Sequence, residues 1–203
     1  IATYAQAARR LLERGATADL DSVLDKIAKQ AERAGAVIRQ MRSFVRRQDR
    51  EQALSHPTEL VASVVQFLQM DTGRRNIDIQ QELPDGLPTL MVDTVQIQQV
   101  LLNLLLNAMD ATESSGSREG VKIRAHVEDD SHVVFEILDR GCGVSEEHRG
   151  QLFTPFFTTT DAGMGMGLPI CRSIVQAHGG QLNFRPNPAG GSIFHFSLPA
   201  LLD

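Results

Sequence analysis

Residues 96–112, QIQQVLLNLLLNAMDAT, constrain this chain more than any other stretch. Val100, Leu101, Leu104, Leu105 and Ala108 recur at helical spacing, and Asp93 with Gln96 stands as a capping box, so a core helix is predicted. Within its apolar stripe sit Asn103 and Asn107, one turn apart on one face. Asparagine is a poor interior helix residue because its amide competes for backbone partners. Two readings follow. In one, each amide satisfies a neighbouring backbone group, since buried amides rarely go unpaired. In the other, the Asn107 carboxamide oxygen is a hard, neutral ligand for Mg2+ carried by a polyphosphate.

Sequence further along favours the second reading. Asp139-Arg140-Gly141-Cys142-Gly143 follows the apolar run 133–138, and an acid leaving a strand into glycines suits a ligand that the backbone must approach closely. Phe153-Thr154-Pro155-Phe156-Phe157 then leads through Thr158, Thr159 and Thr160 to Gly163, Gly165, Gly167 and Leu168, where another helix is predicted. Glycines opening onto a helix N-terminus make an anion site, because free N–H groups and the helix dipole point at the ligand. Each motif alone is weak; the ordered set is specific.

These four stretches resemble the N, G1, F and G2 boxes of the ATP-binding domains shared by sensor histidine kinases, DNA gyrase, mismatch-repair ATPases and the large heat-shock chaperones. The likeness is strongest to FixL-like histidine kinases, in Asn107-Ala108 with Asp110-Ala111 and in the run Ile174-Val175-Gln176-Ala177-His178-Gly179-Gly180. It covers nearly the whole chain. The resemblance implies that Asp139 accepts from the exocyclic amino group of adenine while Gly141 and Gly143 admit the backbone. Asn107, and more loosely Asn103, would hold Mg2+ or its waters, with Asp110 near the nucleotide edge. Residues 153–166 would form a lid that includes Phe153, Thr159, Gly163 and Gly165, and the G2-like glycines, with Gly167 and Leu168 behind them, would close on the phosphates. The implied reaction is transfer of the ATP γ-phosphoryl group to a histidine and thence to the receiver domain of a response regulator.

Residues 1–50 read as a helical hairpin. Leu24, Ile27, Ala31, Ala34, Ile38, Met41 and Val45 keep the alternating three- and four-residue spacing of a bundle seam, as Ile1, Tyr4, Ala8 and Leu11 do before Gly15. Such seams are best buried by a second hairpin, so a homodimer joined by a four-helix bundle is expected. In the family resembled, this hairpin carries the phosphorylated histidine in an H-E-L-type box. The chain opens at Ile1-Ala2-Thr3-Tyr4, which resembles the stretch after that box, and none of His56, His126, His132, His148, His178 and His195 stands in such a context. The fragment is therefore expected not to label itself. A sensor domain is expected upstream.

Residues 51–56 read as a linker and 57–203 as the catalytic domain. Helical spacing at Leu60, Val64, Phe67 and Leu68, alternation at Val121, Ile123, Ala125 and Val127 and again at Val133, Phe135 and Ile137, and a final pair of strands around Leu182 and Phe194 predict an α+β sandwich, a mixed sheet with helices on one face. The resemblance implies that same layered fold.

Two departures from the family pattern matter. Thr160 stands where FixL-like lids commonly carry lysine, and Asp110 stands where many sensor kinases carry a basic residue. Weak ATP affinity is expected, with Arg140 a candidate to meet phosphate charge, and replacing Thr160 with lysine should tighten binding.

A net charge of -5 argues against a nucleic-acid surface. No apolar run approaches the roughly 20 residues of a membrane span, so no membrane contact by this fragment and a cytoplasmic location are expected, any anchor of the parent protein lying elsewhere. Cys142 and Cys171 lack CxxC spacing and read as free thiols. A dinucleotide fold is disfavoured, because the glycines follow a loop, and the phosphate-loop signature GxxxxGK[ST] is absent. A nucleotide-sensing dimerisation module without transfer activity, or another ATPase or serine kinase of the superfamily, is the competing reading.

Overall fold

The structure, a computed structural model, describes residues 2–13, 20, 23–24, 52–117, 119–129, 131–159 and 165–201. The chain divides into two compact units, Ile1–Asp49 and Arg50–Asp203. In the first, α1 spans Ala2–Glu13, with Ala8 buried and Leu12 exposed. The bundle seam expected over residues 27–45 lies outside the described residues.

In the second unit, β1 (Ala53–Ser55) pairs antiparallel with β3 (Leu90–Val92), Ala53 opposite Val92. This strand falls where a linker was expected. It is too short to show alternation, and only its partner in space defines it. The main sheet has the order β2-β4-β5-β7-β6, built from Ile79–Glu82, Val121–Glu128, His132–Leu138, Ser192–Pro199 and Gln181–Pro186 respectively. β2 and β4 are parallel, with Ile79 opposite Val121, and the other neighbours are antiparallel, so the sheet is mixed as expected.

Three long helices, Pro57–Arg75, Thr94–Ser115 and Gly167–Ala177, cover one face of that sheet. α2 (Pro57–Arg75) opens with proline, whose missing N–H costs nothing in the first turn, and ends at Asn76, which takes φ 52° and returns its N–H to Thr72 O. α3 (Thr94–Ser115) is the asparagine-bearing helix and ends on Gly116 at φ 69°. α4 (Glu146–Arg149) is a single turn, and α5 (Gly167–Ala177) completes the layer. Leu60, Leu101, Leu104 and Val175 from the helices meet Ile123, Phe135 and Phe196 from the strands in one core. Phe135 and Phe196 stack at 4.9 Å between centroids. The opposite face is polar: Glu82 pairs with Lys122 and Arg124 at 2.5 Å each, and Arg185 with Glu136 at 2.6 Å.

Polar clasps set the helix directions. Ser55 and Thr94 hydroxyls lie 2.8 Å apart where α2 and α3 begin, and Arg75 at the end of α2 reaches Asp110 and Glu113 near the end of α3. The two helices therefore run the same way. α5 runs against them, because His178 beyond its last turn bonds the N–H of Asp93, the N-cap of α3. Among the described residues no helix is long and apolar enough to cross a membrane.

Candidate functional site: a nucleotide corner

The capping box at the start of α3 forms in altered shape. Asp93 Oδ1 accepts from Gln96 N at 3.1 Å, as predicted, but the Asp93 N–H is already given to His178 Nε2. The Gln96 amide accordingly turns to Asp93 Oδ2 at 2.7 Å. Further along α3 the two asparagines part. Asn103 lies against the fully buried thiol of Cys171, whose pKa burial pushes up to about 12, the asparagine only partly offsetting that. Asn107 is exposed. Since Cys171 meets α3 at Asn103 and α5 runs antiparallel, the start of α5 at Gly167 lies toward the half of α3 that bears Asn107.

Asp139 follows directly on β5 and is 2% exposed. Its Oδ1 accepts from Gly141 N at 2.8 Å and Ser192 N at 3.0 Å, and its carbonyl accepts from Asn187 Nδ2 at 2.9 Å. Burial raises its pKa, and the bonds from Gly141 and Ser192 only partly offset that. A carboxylate whose Oδ1 is pinned by two backbone donors is a fixed acceptor, the property an adenine amino group needs.

Glycines let the surrounding backbone close on this acid. A Cβ on Gly141 would stand 2.7 Å from Ala111 Cβ and 2.9 Å from its carbonyl oxygen, so the loop rests directly on α3. Gly191, at φ 91°, leaves no room either: a Cβ would lie 2.3 Å from the Asp139 carbonyl oxygen. Ala111 is one turn beyond Asn107, so Asp139, the 141–143 loop and Asn107 share one corner of α3. Asp110 flanks it, exposed and bonded to Arg75 at 2.5 Å.

Phe153 packs on the core beneath Arg172, whose guanidinium carbon lies 5.3 Å from the ring centroid. Phe156, at φ 67°, donates its N–H to Gly165 O at 3.0 Å, so the segment between them leaves and returns at one neck. Thr159 is exposed beyond that neck, whereas Thr160, Asp161 and Gly163 lie outside the described residues. Gly167 and Leu168 form the first turn of α5, which has no side-chain cap. Its N-terminal N–H groups are thus placed as an anion site.

Arg140, a candidate for phosphate charge, is instead held by Glu119 at 2.8 Å and by the Ala189 carbonyl. Sequence reasoning missed Asn187, Gly191 and Ser192, which hold Asp139 from a distant turn; paired glycines before β7 were the available signal. It also missed Arg75.

The histidine kinase-, DNA gyrase B- and HSP90-like ATPase family matches residues 92–202, more than half of the chain. This chain belongs to that family. Among curated proteins it is 38% identical to the sensor protein FixL of Bradyrhizobium diazoefficiens over 98% of this chain and 40% of FixL. It is 34% identical to the C4-dicarboxylate transport sensor protein DctS of Rhodobacter capsulatus over 89% of this chain and 27% of that protein. The chain thus spans less than half the length of these relatives. Among solved structures, the catalytic domain of histidine kinase ThkA matches with 31% identity and a TM-score of 0.66, covering 74% of this chain and 96% of that domain. The fold is also shared with full-length ShkA, solved with AMPPNP, at a TM-score of 0.73 and 24% identity over 92% of this chain and 39% of ShkA.

Proposed function

We propose that this chain binds ATP with Mg2+ and transfers the γ-phosphoryl group to a histidine on an acceptor hairpin, from which it passes to an aspartate on a response-regulator receiver domain. The observation that carries the reading is the corner where the buried Asp139 acceptor and the Gly141 loop rest on α3 one turn from Asn107. Relatives of this family act as sensors, and ThkA has been solved in complex with the response regulator protein TrrA.

The division of labour follows from the residues. Asp139 accepts from the adenine amino group, and Gly141 with Gly143 admits the base. Asn107 is exposed on α3 and supplies one neutral oxygen, enough for a magnesium ion that keeps several waters. When bound, Mg2+ neutralises phosphate charge. The N–H groups of Gly167 and Leu168 take the phosphates, and the lid glycines Gly163 and Gly165 are assigned to the same task by the family resemblance. Asn103 acts through Cys171, holding α5 at the register this requires. The attacking atom is an imidazole nitrogen; its bond to phosphorus forms as the bond to the ADP oxygen breaks, so catalysis is positioning and charge stabilisation. The acceptor belongs to another chain or segment, and the 1–50 hairpin pairs two copies.

Incubation with γ-labelled ATP and a separate acceptor hairpin tests this. Acid-labile label should appear on the acceptor and not on this chain. ATP binding without label on any acceptor would favour a nucleotide-sensing module.

A further inference from the structure

Arg75 was invisible as a site residue in the sequence, well before the first family motif and at the end of a different helix. Its Nη1 lies 2.5 Å from Asp110 Oδ1 and 3.3 Å from Glu113 Oε2, and its side chain is only 26% exposed. Asp110 is three residues past Asn107 and so its neighbour on the helix surface. The guanidinium is thereby held against α3 within two turns beyond Asn107. Burial works against its charge, but Asp110, Glu113 and Asp71 outweigh it and raise its pKa. Three carboxylates around one cation leave this edge negative, which a polyphosphate arriving at Asn107 would meet as repulsion. Arg140, the other candidate cation, is occupied by Glu119 and Ala189.

We propose that Arg75 is the residue that meets the polyphosphate of a nucleotide bound at Asn107, exchanging its bond to Asp110 for a phosphate oxygen. It thereby sets the preference for nucleotide over nucleoside. This rests on the ATP-binding reading above. An Arg guanidinium suits the role because its planar fork matches phosphate oxygens and can change partners without changing charge. Asp110 is then a competitor for that cation: it holds Arg75 in place without nucleotide and weakens binding when nucleotide arrives.

Calorimetry of the whole chain with Mg-ATP and with adenosine, for the wild type, Arg75→Gln and Asp110→Asn, tests the assignment. Arg75→Gln should weaken ATP binding about tenfold or more and leave adenosine binding unchanged. Asp110→Asn should tighten ATP binding severalfold, again without effect on adenosine. The exchange Arg75→Asp with Asp110→Arg should restore ATP affinity, since a cation returns to the same edge. A purely structural clasp between α2 and α3 predicts otherwise: Arg75→Gln and Asp110→Asn would both weaken ATP and adenosine alike, and that result overturns the proposal. ATP binding indifferent to Arg75→Gln overturns it alone. A wild-type chain that binds neither ligand removes the nucleotide reading and this inference together.

Discussion

His178 ties the end of α5 to the start of α3: its Nε2 accepts the Asp93 N–H at 3.1 Å, while its Nδ1 lies 2.8 Å from Ile174 O. Both ring nitrogens are engaged by backbone, Nε2 as the acceptor and Nδ1 as the donor. Replacing His178 with alanine leaves the half-buried Asp93 donor without its acceptor and loosens α5 against α3. The expected cost is about 2–3 kcal/mol, from a lost hydrogen bond, an unsatisfied donor and a cavity. Urea unfolding reads it, and a loss below the error of the method would show that the clasp contributes nothing.

Asp139→Asn should separate stability from binding. Burial raises the Asp139 pKa, so the folded chain holds that proton more tightly than the unfolded chain. Its ionisation therefore costs stability as pH rises from the unfolded to the folded pKa, and the full cost persists above that window. The asparagine variant escapes this cost and should melt higher than the wild type at neutral pH. It should also lose about tenfold to a hundredfold in ATP affinity, because an amide N–H2 then faces the adenine amino group. For the wild type, ATP affinity should begin to fall on acidification at a pH above the range of an ordinary aspartate. Equal melting temperatures with equal affinities would contradict both expectations.

Gly190 and Gly191 give a matched pair. Both have positive φ, 97° and 91°, but a Cβ on Gly190 meets open space whereas one on Gly191 runs into Asp139. Gly190→Ala should cost only backbone strain, about 1–2 kcal/mol. Gly191→Ala should cost at least about 1 kcal/mol more and should also impair ATP binding, since Asp139 must move. Similar unfolding midpoints for the two variants would argue against the close approach.

The layered fold was legible in the sequence because its signals are local. Alternation at Val121, Ile123 and Ala125 and helical spacing at Leu60, Val64 and Leu68 each name a buried face, and those residues are buried. Asp139 was legible as an acid entering glycines. What held it was not: Asn187 and Ser192 reach it only because β7 pairs with β5, a relationship fixed by tertiary packing. Phe67 shows the converse limit, for it shares the α2 apolar run yet is 72% exposed. The division of Asn103 from Asn107 was also beyond sequence, since it depends on where Cys171 arrives from another helix.

The two thiols should differ sharply toward an alkylating reagent. Cys142 is exposed in the loop after Asp139, whereas Cys171 is buried with its pKa near 12. At mildly alkaline pH, mass spectrometry of the native chain should find label on Cys142 and none on Cys171, because the thiolate is the reactive form. Bound ATP should slow labelling of Cys142. Labelling of Cys171 without unfolding would contradict the packing of α5 on α3.

The parallel partners β2 and β4 cannot be linked by a tight turn; the polypeptide travels through β3 and the whole of α3 before Val121 can settle opposite Ile79. The border strand β2 consequently has no neighbour in the sheet until β4, which follows the asparagine helix, has been synthesised. A nascent chain halted earlier presents that border bare, as a template for intermolecular strand exchange.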